Sequence, residues 1–133
     1  MRVPAGPFAM GWTGGHPCER PRHLVWVDAF LIALTPATTF DRPPRVGQTP
    51  PNPLGLADLS GVCHEWCADW FGEAYYADSP ERNPRGATTG TRRVSRGGAW
   101  RHADPWSAVG HRSSLPPHLR YSDYGVRLAR DAE

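Results

Sequence analysis

The chain has 133 residues, a net charge of +2 and 21% charged residues. That length fits one domain with a buried core. Its acids and bases are too evenly mixed for the broad basic stripe of a nucleic-acid binder. Fifteen prolines and 14 glycines weaken helix interiors and disfavour a helical bundle, while six tryptophans carry more aromatic surface than a disordered chain spends.

No apolar run approaches a membrane span, and the N-terminus lacks a long apolar leader segment. The expectation is a cytoplasmic protein with neither a membrane nor a nucleic-acid partner. Cys18, Cys63 and Cys67 are odd in number and cannot all pair within the chain, which argues against a disulfide framework.

In chain order, Val3 to Met10 reads as a short bent edge strand, because Pro4, Gly6 and Pro7 interrupt its apolar residues. Leu24 to Ala33, LVWVDAFLIA, is the best strand signal, with Asp28-Ala29 as a break that would divide it in two. Residues 35–53 hold Pro43-Pro44 and Pro50-Pro51 and read as a junction without regular structure.

Between Leu54 and Phe71, Leu59, Cys63, Trp66 and Trp70 recur at helical spacing, while Val62, His64 and Trp66 alternate as a strand would. Periodicity leaves both readings open. Arg92 to Ala99 reads as a strand ending at Gly97-Gly98. The tail reads as a turn at Gly125 and a final strand through Val126 and Leu128. Together these segments predict a small α+β domain rich in loops.

The chemistry-bearing residues fall into three groups. Cys63 and Cys67 have a Cys-x-x-x-Cys spacing unlike the usual zinc or redox pair and read as buried small hydrophobes. His64, Glu65 and Asp69 resemble a fragment of an acid–base or metal cluster, but Ala68 stands where a zinc-protease helix needs its second histidine. His102, Asp104, Ser107 and His111 crowd the segment after Trp100, yet no Gly-x-Ser-x-Gly elbow accompanies them. No phosphate-binding glycine motif occurs. The many arginines read as bidentate partners for carboxylates that tie loops together.

Four blocks carry a family resemblance: VPAGPFAMG through ERPRHLVWVDAFLIALTP, then PNPLGLADLSGVCHEWCADWF, then RRVSRGGAW, then HRSSLPPHLRYSDYGVRLAR. In this order they resemble the formylglycine-generating enzymes, or sulfatase-modifying factors. The resemblance implies a C-type-lectin-like, loop-rich fold, with residues 1–133 forming one shortened domain and a Pro-rich junction at about 35–53. It favours strand or loop around Glu65-Trp66. It also implies that about a hundred residues of the family's central section are absent at that junction, more than loops ordinarily vary. Loss of that section would expose apolar surface.

By the same resemblance, Arg96, Trp100, His102, Ser107 and Arg112 are the candidate cleft residues, and Gly125 to Arg127 are framework. Family enzymes oxidise a protein cysteine with oxygen and a copper(I) ion held by two thiolates, soft ligands for a soft ion. His102 and Ser107 stand where those cysteines are expected, which argues against copper. Val62 replaces an asparagine of the family's calcium motif, leaving Glu65 as a weak calcium candidate, and His102 is a weak candidate for another metal. The function expected is a noncatalytic or binding scaffold for a protein or peptide partner. The alternative is a metal- and oxygen-dependent oxidase acting on a protein cysteine or a small thiol.

Overall fold

The computed structural model describes residues 1–37, 45–102 and 104–133. Part of the Pro-rich junction, residues 38–44, thus lies outside the described residues. Among those described, nine short strands and three single 3₁₀ turns make up the regular structure. Strands β1 (Arg2–Val3), β4 (Phe30–Ile32) and β9 (Ala129–Asp131) form one antiparallel sheet in the order β1-β4-β9. Strands β2 (Gly6–Met10) and β3 (His23–Val27) pair antiparallel along their full length. The third sheet runs β7 (Ser113–Leu115), β6 (Arg93–Arg96), β5 (His64–Trp70), β8 (Tyr124–Gly125), with β8 parallel to β5.

The predicted strand over Leu24–Ala33 is two strands, divided at Asp28-Ala29. Asp28 explains the break, because its backbone N–H donates to the Asn83 side-chain oxygen and its carboxylate binds Arg82 and Asn83. The helical reading of Leu59 to Trp70 is overturned. His64–Trp70 is β5, with Leu59 and Cys63 in the irregular segment before it, and the pairing of β5 with β6 shifts register between Trp66 and Trp70. That irregularity breaks the two-residue alternation and leaves a spacing that mimics a helix face. The final strand is also misplaced by the sequence reading: Val126 and Leu128 lie between β8 and β9 and are 40% and 74% exposed, while Gly125 is part of β8.

The apolar core is small. Val25, Leu56, Val62, Val94, Ala99, Cys63 and Tyr76 are buried, and as many polar or charged residues are buried with them. Buried polar groups must be paired to be tolerated, so polar clamps do much of the work of holding the loops. The best paired is Arg127, whose guanidinium binds both oxygens of Glu65 at 2.8–3.1 Å. It also donates to the carbonyls of Leu34, Ala57 and Asp58. One side chain thereby joins the segment after β4, the loop before β5, and β5 itself.

Asp58 secures the end of the Pro-rich junction. Its carboxylate accepts from the Thr49 hydroxyl at 2.8 Å and from the backbone N–H of Gly47, while its own N–H donates to the Thr49 hydroxyl. Burial pushes the Asp58 carboxyl up, but these donors outweigh it and hold the group below the usual range. No helix among the described residues is long and apolar enough to cross a membrane.

Candidate functional site

The site is built around the turn that follows β6. Gly97 and Gly98 have φ of +88° and +64°, a left-handed conformation that costs other residues about 1–2 kcal/mol. Space is the stronger constraint at Gly98. A Cβ there would lie 2.3 Å from Ser107 Oγ and 2.7 Å from the Trp106 carbonyl oxygen. At Gly97 it would approach the Leu59 carbonyl to 3.2 Å. The pair of glycines therefore lets residues 59–63 and 106–107 close on the turn from two sides. Hydrogen bonds fix the closure: Gly61 N–H donates to Gly97 O at 2.8 Å, and the Ser60 hydroxyl to Ser107 O at 2.9 Å.

Two of the expected cleft residues are internal fasteners. Arg96 donates to the carbonyls of Val109, Gly110 and His111. Arg112 is buried, with its guanidinium on Cys18 O at 2.5 Å and its charge 4.3 Å from the centre of the Tyr76 ring. Its backbone N–H donates to Glu19 Oε1 at 3.1 Å. The same oxygen lies 2.8 Å from His111 Nδ1, and Glu19 Oε2 accepts from the His16 N–H. Burial raises the Glu19 carboxyl, but the Arg112 and His16 N–H groups and then His111 outweigh it, leaving it below its usual range. Burial lowers the His111 imidazole despite the adjacent carboxylate.

Trp100 and His102 stay at the surface, with the Arg101 guanidinium 5.2 Å over the Trp100 ring. Trp106 is also exposed and, with Trp12, His16, Arg20 and His111, lines a hollow of about 420 Å³. That volume lies in the range of small-ligand pockets, roughly 300–1,000 Å³.

His102 meets two residues that sequence reading did not bring together with it. Its Nδ1 lies 3.0 Å from His64 Nε2, and its Nε2 lies 3.8 Å from Asp123 Oδ2. His64 opens β5, where the parallel pairing sets it opposite Tyr124, and its ring stacks on Tyr124 at 4.8 Å. Its N–H also donates to the Asp123 carbonyl at 2.8 Å. Alternation along β5 sends the neighbouring Glu65 to Arg127 instead, so the His64-Glu65-Asp69 grouping does not form a single cluster. Burial, reinforced by His102, lowers the His64 imidazole to about 4. It is neutral at ordinary pH and keeps a lone pair for donation.

The metal ions implied by the family resemblance do not fit these residues. A two-thiolate copper(I) site needs sulfur at the cleft, and His102 and Ser107 supply none. Cys63 immediately precedes β5 and Cys67 lies at its middle instead. Burial, with Glu65 and Asp69 respectively adding to it, pushes their thiols up to about 11 and about 12. Calcium calls for six to eight oxygen donors, but Val62 is a buried apolar side chain and both Glu65 oxygens face Arg127.

Short strands joined by long, polar-clamped loops around an open cleft define a C-type-lectin-like domain. Consistent with this, the chain superposes on the structure of PvdO from Pseudomonas aeruginosa with a TM-score of 0.84 over 98% of this chain and 93% of that one, at 18% identity. Residues 40–132 match the sulfatase-modifying factor enzyme 1-like domain, and the chain belongs to that family. It is 42% identical over 86 residues to a formylglycine-generating enzyme of Streptomyces coelicolor, covering 62% of this chain and 27% of the enzyme. It is 39% identical over 117 residues to a serine/threonine-protein kinase pkn1 of Chlamydia caviae, covering 86% of this chain and 18% of the kinase. The chain thus spans less than a third of either relative.

Proposed function

We propose that this chain is a noncatalytic member of the family that retains the lectin-like scaffold as a binding module for a protein or peptide. The observation that carries this reading is the chemistry of the cleft: imidazole and hydroxyl stand where the family resemblance expects two thiolates. No cysteine of the chain compensates. Cys18, Cys63 and Cys67 are free, and burial raises the pKa of all three, which lowers the share of thiolate available for nucleophilic attack. Three unpaired thiols suit a reducing compartment, so we place the protein in the cytoplasm.

The binding half of the reading rests on exposed aromatic side chains. Trp12, Trp100, Trp106 and Tyr121 are each 41–48% exposed, and tryptophan and tyrosine dominate the energetics of protein interfaces. Trp12 and Trp106 also share the 420 Å³ hollow, which offers a peptide an apolar side-chain pocket.

An oxygen electrode tests the reading directly. The full chain, supplied with copper(I) and a cysteine-containing peptide, is expected to consume oxygen no faster than the copper and peptide alone. Protein-dependent uptake that requires the peptide thiol would overturn it.

A further inference from the structure

We infer that His64, His102 and Asp123 form a binding site for one divalent transition-metal ion of the zinc class. The three come from the start of β5, the turn after Trp100 and the turn before β8, and one donor atom from each lies within 4.8 Å of the others. Ligands held about 2.0–2.2 Å from a tetrahedral centre are roughly 3.3 Å apart. The 3.0 Å contact with His64 runs through His102 Nδ1 and the 3.8 Å contact with Asp123 through His102 Nε2. One ring gives an ion a single nitrogen, so the ion would draw the three donors in from a spread of up to 4.8 Å by rotation of the exposed His102 ring and the Asp123 carboxylate.

The electrostatics of Asp123 point independently to a cation. Its side chain is 8% exposed, and a buried carboxylate is costly unless it is paired, hydrogen-bonded or bound to a metal. Among the described residues no lysine or arginine pairs with it. Its ionic contact among the described residues is with His102 Nε2, at 3.8 Å beyond hydrogen-bond range. Among the same residues His64 Nδ1 is buried and without a hydrogen-bond partner. With His102 neutral, a network of hydrogen bonds accounts for the His64–His102 contact but leaves the carboxylate unneutralised. A divalent ion neutralises it and gives the imidazole lone pairs an acceptor.

The site also has a fixed wall and an entrance. His64 is buried and stacked on Tyr124, while the His102 side chain is 37% exposed, leaving the ion a path in and a coordination position for water. Two imidazoles and one carboxylate suit zinc, iron(II), cobalt(II) or nickel(II). This is a different donor set from two thiolates and does not require redox chemistry. Metal binding and the noncatalytic reading therefore stand or fall separately.

Calorimetric titration of the chelator-stripped full chain with Zn²⁺ alone tests the site, with Co²⁺ absorption reporting the coordination geometry. One ion per chain is expected, with a cobalt spectrum characteristic of four-coordination. His102→Ala, at an exposed position, should weaken binding about tenfold or more, and Asp123→Asn should do the same. His118→Ala, removing an exposed histidine outside the trio, should leave binding unchanged. Absence of saturable binding, or wild-type affinity in a folded His102→Ala protein, would overturn the inference. So would an equal loss in His118→Ala. Should Asp123→Asn fail to fold, the histidine pair decides the matter.

Discussion

Two buried carboxylates sit beside histidines in this molecule, and their surroundings are opposite. Glu19 is fully buried, 2.8 Å from His111 Nδ1, and accepts from the N–H groups of Arg112 and His16. Asp123 is nearly as buried, but His102 stands 3.8 Å away. The first carboxylate is saturated and belongs to the framework. The second retains coordination capacity beside an accessible imidazole. The same pairing of a carboxylate with an imidazole thus differs in role according to how many donors the backbone brings to it.

Removing the saturated group should cost most. Glu19→Ala leaves His111 and two backbone N–H groups buried without their acceptor and is expected to destabilise the fold by about 3–5 kcal/mol. Urea denaturation checks it, and a loss under about 1 kcal/mol would erase the contrast drawn between the carboxylates.

Acid should act nearly as strongly. Unfolded His64 takes up its proton near pH 6.5 and folded His64 only near 4. Between those values the unfolded state binds the additional proton, so stability falls as the pH falls. Complete passage through that window removes about 3 kcal/mol from the metal-free protein. The lowered His111 adds to the loss below pH 6.5, and the lowered Glu19 adds to it below 4.5. Denaturation midpoints measured from pH 7 to 4 should decline throughout; a flat profile would contradict the burial assigned to both histidines.

Gly98→Ala tests the turn that follows β6. Its left-handed backbone and the 2.3 Å approach to Ser107 Oγ predict a loss of about 2 kcal/mol or more. The smallest effect belongs to Asp123→Asn in the absence of metal. Removing a buried charge that no arginine pairs among the described residues should change stability by about 1 kcal/mol or less, in either direction. A loss as large as that of Glu19→Ala would mean that Asp123 is a framework acid after all.

The sequence made some of this division readable. Proline, glycine and tryptophan content pointed to a loop-rich fold, and Gly97-Gly98 marked a tight approach because few other residues tolerate one. The break at Asp28-Ala29 was also readable. Strand β5 was ambiguous because its irregular pairing with β6 erases the two-residue alternation. The His64–His102–Asp123 trio was illegible for a different reason. His64 and His102 are 38 residues apart, and the parallel pairing of β5 with β8 that brings in Asp123 leaves no local spacing to detect. Arg96 and Arg112 were found as important positions, but nothing in their spacing showed that their guanidinium groups would be spent on backbone carbonyls.

The central claim is that the family framework persists around a cleft that no longer carries thiolate copper chemistry. Mass spectrometry of a sulfatase-type cysteine peptide tests it most directly, after incubation with the full chain, copper(I) and oxygen and treatment with an aldehyde-trapping reagent. The account predicts a peptide that retains its thiol and acquires no trapped aldehyde beyond the protein-free control. Protein-dependent appearance of the aldehyde adduct would contradict it.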